Sequence, residues 1–105
     1  MAELVQLSDA TFESEVGASK GLYLVDFWAA WCGPCRMMEP VLKKVAAEKT
    51  DIVIGQLNVD QNPVTAQKFD VMSIPTFVLF KDGQVLKRFT GAMPKPALLA
   101  ELASA

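Results

Sequence analysis

The stretch Leu22-Tyr23-Leu24-Val25-Asp26-Phe27-Trp28-Ala29-Ala30-Trp31-Cys32-Gly33-Pro34-Cys35 decides the fold class. Its first seven residues are apolar almost without interruption, which is how a parallel strand covered on both faces reads. Asp26 is the one anomaly, since a carboxyl within such a strand is costly to bury and is pushed toward its neutral form. After the two cysteines the period changes. Pro34 suits a first helical position, with its fixed φ and missing N–H. Met38, Val41, Leu42 and Val45 then form a helical apolar stripe to about Lys49, and Pro40 within it is expected to kink the helix. A strand that runs straight into a helix places the cysteines at the carboxyl end of a central strand, where open α/β sheets hold their sites.

The remaining chain extends the same alternation in both directions. Leu4 to Leu7 reads as a first strand, and Ser8-Asp9 supplies N-cap candidates for a short helix carrying Phe12 and Val16. Gly17 to Gly21 reads as loop. Ile52 to Val59 is a third strand. Asn62-Pro63 caps a short helix through Phe69. Thr76 to Phe80 and Val85 to Thr90 form a hairpin around Asp82-Gly83, a strong tight-turn signal. Gly91 ends that hairpin, and Pro94 and Pro96 open a last helix carrying Leu98, Leu99 and Leu102. Strands that alternate with helices imply parallel pairing through right-handed crossovers, and the hairpin adds antiparallel strands. The expected architecture is an α/β fold, a five-stranded mixed sheet flanked by four helices.

The two cysteines are the only ones in the chain, and no histidine is present. Thiols at i and i+3 on a helix start face the same way and can close a disulfide. So short a loop stabilises a fold by only about 2 kcal/mol, which makes the pair a poor staple and a suitable bond for repeated making and breaking. Cys32 falls at the helix N-terminus, where free N–H groups and the positive dipole end favour an anion. That placement lowers its thiol pKa and makes it the attacking thiolate. Cys35, one turn in, suits the resolving role. With no histidine to accept the Cys35 proton, Asp26 is the best-placed general base. Phe27, Trp28, Met37 and Phe77 read as core. Trp31, next to Cys32 in the turn, reads as partly exposed. Two thiolates and no histidine fall short of a closed zinc site, so no metal is expected.

Composition narrows the function classes further. The 105 residues suit one domain, spanning residues 1–105, and 51% hydrophobic content supplies a core without staples or metals. Ten basic against twelve acidic residues, spread along the chain, leave no basic stripe for nucleic acid or anionic lipid. No apolar run approaches a membrane span, and the N-terminal residues lack the pattern of a secretory signal. A soluble cytoplasmic protein whose cysteines stay reduced unless they are working is the expectation.

Taken together, these residues resemble the thioredoxin family along essentially the whole chain. The carriers are Asp26 to Cys35, then Pro40, Asn58-Val59-Asp60, Ile74-Pro75-Thr76, Lys81-Asp82-Gly83 and Gly91. Cys-Gly-Pro-Cys inside Trp-x-x-Trp is highly specific, whereas a bare Cys-x-x-Cys is not. The resemblance implies the thioredoxin fold and general protein-disulfide reduction by thiol-disulfide exchange, with no cofactor beyond the Cys32–Cys35 redox pair. It implies electrons from a thioredoxin reductase, and substrates such as ribonucleotide reductase, peroxiredoxin and methionine sulfoxide reductase. It also implies a monomer, a cis Pro75 that faces the thiols, and a substrate groove of Trp31, Gly33, Pro34, Ile74, Pro75, Gly91 and Ala92. One departure stands out. Many members carry a lysine close to the buried aspartate, and the matching position here is Gln56, so Asp26 loses a charge partner.

Two other readings compete. A disulfide oxidant or isomerase uses the same fold, but such relatives usually hold a histidine between the cysteines and work outside the cytosol. A non-catalytic docking module would use the fold without the chemistry.

Overall fold

A computed structural model describes residues 3–104. The outer ends of the expected domain, residues 1, 2 and 105, lie outside the described residues. Among the described residues, five strands form one sheet: β1 (Val5–Leu7), β2 (Leu22–Trp28), β3 (Ile52–Asn58), β4 (Thr76–Lys81) and β5 (Gln84–Thr90). Their spatial order is β1-β3-β2-β4-β5. β1 and β2 both pair parallel with β3, while β4 runs antiparallel to both β2 and β5. The mixed five-stranded sheet expected from the sequence is therefore present, with β2 at its centre.

Among the described residues, four helical segments flank the sheet. Three are α-helices: α1 (Gly33–Glu48), α2 (Pro63–Lys68) and α3 (Lys95–Ala103). The fourth, Glu13–Gly17, is a single turn wound wider than an α-helix. Its Ala18 N–H donates to the Glu13 carbonyl at 3.0 Å, an i→i+5 bond. Ser8 caps the approach to that turn, its Oγ accepting from the Thr11 N–H at 3.2 Å.

Asp9, the other expected cap, is committed elsewhere. Its Oδ1 accepts from the Thr65 N–H at 2.8 Å and the Thr65 hydroxyl at 2.7 Å, and its Oδ2 accepts from the Val64 N–H at 3.3 Å. Asp9 thus caps α2 from across the fold. Asn62 does stand at the N-cap position of α2, as expected, but its side chain makes no cap bond, because its Oδ1 instead accepts the Asp9 backbone N–H at 2.9 Å.

The strand period of two divides β2 between two cores. Leu24 packs with Met38, Leu42 and Val45 of α1, Ile52 and Ile54 of β3, Phe77 and Leu79 of β4, and Leu98 and Leu102 of α3. Tyr23, Val25 and Phe27 point the other way, against Phe12, Val16, Leu57, Val78 and Phe80, with Phe69 and Val71 closing that side. At 25 cal/mol per Å², each such fully buried side chain contributes about 1.5–3 kcal/mol. The apolar run of β2 reflects this burial on both faces. Asp26, two residues beyond Leu24, lies on the α1 face with no exposed surface.

The β4–β5 turn is a two-residue connection. Asp82 at φ 51° and Gly83 at φ 82° give the doubled positive φ that a tight hairpin needs. Any side chain at Gly83 would also collide with the Gly17 carbonyl.

Candidate active site

β2 ends at Trp28 and α1 begins at Gly33, so the intervening turn carries Trp31 and Cys32 at the carboxyl edge of the central strand. Cys32 is the N-cap of α1, with extended backbone (φ −90°, ψ 107°), and its Sγ accepts the Cys35 N–H at 3.2 Å. A residue that leaves extended backbone at a helix start aims its side chain at the free N–H groups of the first turn. Here that side chain is sulfur. Cys32 and Cys35 are joined as a disulfide with their Cα atoms 5.3 Å apart. No carboxylate occupies the first turn of α1, so the dipole end acts on the sulfur alone. Both sulfurs sit in a small apolar cluster with Ala29, edged by Trp28, Val59 and Ile74. Cys32 is 5% exposed and Cys35 2%, so the attacking candidate lies nearer the surface.

Two further segments converge on the disulfide. The Ile74–Pro75 peptide bond is cis, as the family resemblance implied. Cys32 Sγ lies 3.9 Å from the Ile74 carbonyl oxygen. The Gly91 N–H donates to the Pro75 carbonyl at 2.9 Å, which ties the end of β5 to that loop. Gly91 adopts φ +95° and has open space where a Cβ would be, so the backbone is accessible at that edge. Trp31, Gly33, Pro34 and Ala92 are exposed, Ile74 and Gly91 are half-buried, and Pro75 is buried. The expected groove residues are thus drawn from three loops that the fold brings together.

Asp26 lies buried in β2, two residues before the end of that strand. Neither of its carboxyl oxygens has a hydrogen-bond partner among the described residues. Burial is the main cause that pushes its pKa up to about 7, tempered by the Gln56 side chain and raised further by the charge of Glu39. A carboxyl that titrates near neutrality can both take up and release a proton under ordinary conditions.

Some contributors were not legible as such. Asp60 accepts the indole N–H of Trp31 at 2.8 Å and so fixes a ring that is 72% exposed. The Met38 sulfur accepts the Met93 N–H at 3.3 Å and holds the segment that follows Ala92. Asp60 stood inside a recognisable tripeptide, but no spacing rule links it to Trp31. Met37, expected in the core, is 70% exposed and is corrected to a surface position, since the stripe at Met38, Leu42 and Val45 already fills the buried face of α1. Among the described residues, no group of three or more potential metal ligands occurs, and no helix is long and apolar enough to cross a membrane.

Comparison with known proteins accords with this geometry. The family model described as Thioredoxin matches residues 3–104. The thioredoxin of Mycobacterium bovis is 54% identical over 99 residues, covering 93% of this chain and 85% of that protein. The thioredoxin of Mycolicibacterium smegmatis is 51% identical over 104 residues, covering 96% of this chain and 93% of that one. The bifunctional thioredoxin reductase/thioredoxin of Mycobacterium leprae is 48% identical over 99 residues, 93% of this chain and 22% of the longer protein. With a paired dithiol at a helix start and this likeness along nearly its whole length, the chain belongs to the thioredoxin family and is a dithiol-disulfide oxidoreductase of that type.

Proposed function

We propose that the protein is a general protein-disulfide reductase, working through Cys32-Gly33-Pro34-Cys35 as one domain of residues 1–105. The observation that carries this reading is Cys32 as the N-cap of α1, with its sulfur on the Cys35 N–H. In the reduced protein the same N–H and the helix dipole favour the Cys32 thiolate. That thiolate attacks one sulfur of a substrate disulfide. A Cys32–substrate bond forms, the substrate S–S bond breaks, and one substrate thiolate leaves. Cys35 then gives its proton to the Asp26 carboxylate and attacks Cys32 Sγ. The mixed disulfide breaks, Cys32–Cys35 forms, and the second substrate thiolate leaves. Two electrons pass from the dithiol to the substrate, and no cofactor takes part.

A thioredoxin reductase is the proposed electron source. The Mycobacterium leprae relative, whose name joins the two activities in one chain, supports that pairing. The groove of Trp31, Gly33, Pro34, Ile74, Pro75, Gly91 and Ala92 has no charged side chain. It suits backbone and apolar contacts with many sequences, among them ribonucleotide reductase, peroxiredoxin and methionine sulfoxide reductase. A monomer in the cytoplasm completes the reading, with no nucleic acid or membrane as partner. Reduction of insulin disulfides in the presence of a thioredoxin reductase tests it. Catalytic turnover is expected. A protein that binds insulin without reducing it would be a docking module, and one that only oxidises reduced peptides would be an oxidant.

A further inference from the structure

Three polar side chains lie in one row across the sheet. Gln6 on β1 is the register partner of Gln56 on β3, and Gln56 is the register partner of Asp26 on β2. Register partners on neighbouring strands carry their side chains on the same face. The row starts at the edge strand, where Gln6 is exposed, and ends inside, where Gln56 is 5% exposed and Asp26 0%. The next row on that face is Leu24 beside Ile54, part of the apolar core.

Gln6 Nε2 donates to Gln56 Oε1 at 3.0 Å. A primary amide has one carbonyl oxygen and one NH2 group. With its oxygen committed to Gln6, Gln56 has its NH2 left for its other neighbour, Asp26, neither of whose oxygens has a hydrogen-bond partner among the described residues. The reversed amide would turn a carbonyl oxygen toward the carboxylate. We propose that Gln6 is a positioning residue for Asp26: it holds the Gln56 amide with its NH2 group toward the carboxyl and thereby favours the ionised form. Gln56 is the cross-strand neighbour of the carboxyl, and Gln6 acts through Gln56. Where the residue has no charge to offer, a fixed dipole of the same sign takes its place.

The other groups around Asp26 do not do this. From β4 its register partner is Phe77, which does not titrate. From α1, Cys35 is held in the disulfide, and Glu39 acts on Asp26 in the opposite sense while pairing with Lys43 at 3.4 Å.

The effect on turnover rests on the reading above, in which Asp26 takes the Cys35 proton, but the placement can be measured without it. Carbon-13 NMR of the Asp26 carboxyl, titrated in the whole chain, is the direct test. Gln56→Leu is expected to raise the midpoint by about one pH unit, the scale of a hydrogen bond to a charged group. Gln6→Ala, at an exposed position, is expected to raise it by about half as much, through an amide no longer held in place. Combined with Gln56→Leu, Gln6→Ala should add nothing, because its effect passes through Gln56. Glu39→Gln should move the midpoint down. An unmoved midpoint in Gln6→Ala overturns the proposal, as does the same shift with and without Gln56. A midpoint moved from about 7 to about 8 leaves about one fifth of the carboxylate at pH 7, so resolution of a mixed disulfide should slow about fivefold. A moved midpoint with an unmoved rate supports the amide placement and overturns the proton-acceptor role of Asp26, so the two readings fail separately.

Discussion

The starts of α1 and α2 present the same problem and receive opposite treatments. Each follows a strand, each carries a proline at the beginning, and each exposes N–H groups that need a partner. At α2 the partner is a carboxylate. Asp9 reaches over from the loop after β1, takes two N–H groups and the Thr65 hydroxyl, and has its pKa lowered, first by the Thr65 hydroxyl bond. At α1 the partner is the sulfur of Cys32, and no carboxylate stands in the first turn. A helix end filled by a permanent anion is a structural joint. A helix end left to a thiol holds its field for an anion that exists only during the reaction. The difference separates a residue that can be exchanged at the expense of stability from one that can be exchanged only at the expense of chemistry.

The largest expected effect breaks the comparison at α1. Cys32→Ser should abolish disulfide reduction and trap no substrate. Cys35→Ser should accumulate mixed disulfides with substrate proteins, because the thiolate at the cap remains while the resolving thiol is gone. Non-reducing electrophoresis followed by mass spectrometry reads both. Equal trapping by the two variants would show that the helix start does not select the nucleophile.

Asp26 sharpens the same contrast from below. It titrates at about 7 in the fold against 3.8 for the free side chain, so the folded protein holds the extra proton between those values. Burying the charge therefore lowers stability above pH 7, and the penalty disappears below pH 3.8. The pKa difference corresponds to about 4 kcal/mol at high pH. Asp26→Ala is expected to exceed the wild type in stability at pH 8, by less than that amount because packing is lost, with the gain shrinking toward pH 4. It should also slow resolution of the mixed disulfide. Denaturant melts across that pH range decide the matter, and a less stable variant at pH 8 would mark Asp26 as a well-paired structural carboxylate.

Asp9→Ala should have a smaller effect and a purely structural one. The melting temperature is expected to fall by a few degrees, as for a lost helix cap, while reduction of insulin stays unchanged. Because the folded pKa of Asp9 lies below 3.8, its contribution is complete above that pH and is lost as the pH falls through the lowered value. A variant that melts normally but reduces insulin slowly would erase the distinction between the two helix starts.

The smallest expected effect is the response to salt. Screening acts on charges, and the proposed groove has none. Rates for several unrelated protein substrates should change little as ionic strength rises. A steep fall shared by all of them would place charged groups, such as the neighbouring Asp60, in the recognition surface.

Much of this was readable from local patterns. The apolar run of β2, the stripe of α1 and the Asp82-Gly83 hairpin each state their structure within a few residues, because backbone sterics and a periodic apolar face act over that range. The redox pair was equally plain, since both thiols and the helix start lie within four positions. Asp26 stood out as a carboxyl in an apolar strand. Asn62 was legible as the N-cap position of α2, but the side chain that fills that helix end, Asp9, was not, because it lies more than fifty residues earlier in the chain. Met37 was misplaced because a helical stripe leaves a neighbouring position ambiguous by a fraction of a turn.

By itself, then, the order of residues determined the α/β class, the strand-to-helix junction and the chemistry of its two sulfurs. These follow from propensity, periodicity and the functional groups present, all of which act along the chain. Tertiary structure alone decided which partners each polar group would meet: Asp9 on α2, Asp60 on Trp31, Pro75 on Gly91 and Gln6 on Gln56. Hydrogen bonds reach about 3 Å, and no sequence spacing brings residues that close across a sheet until strand order and register have been set.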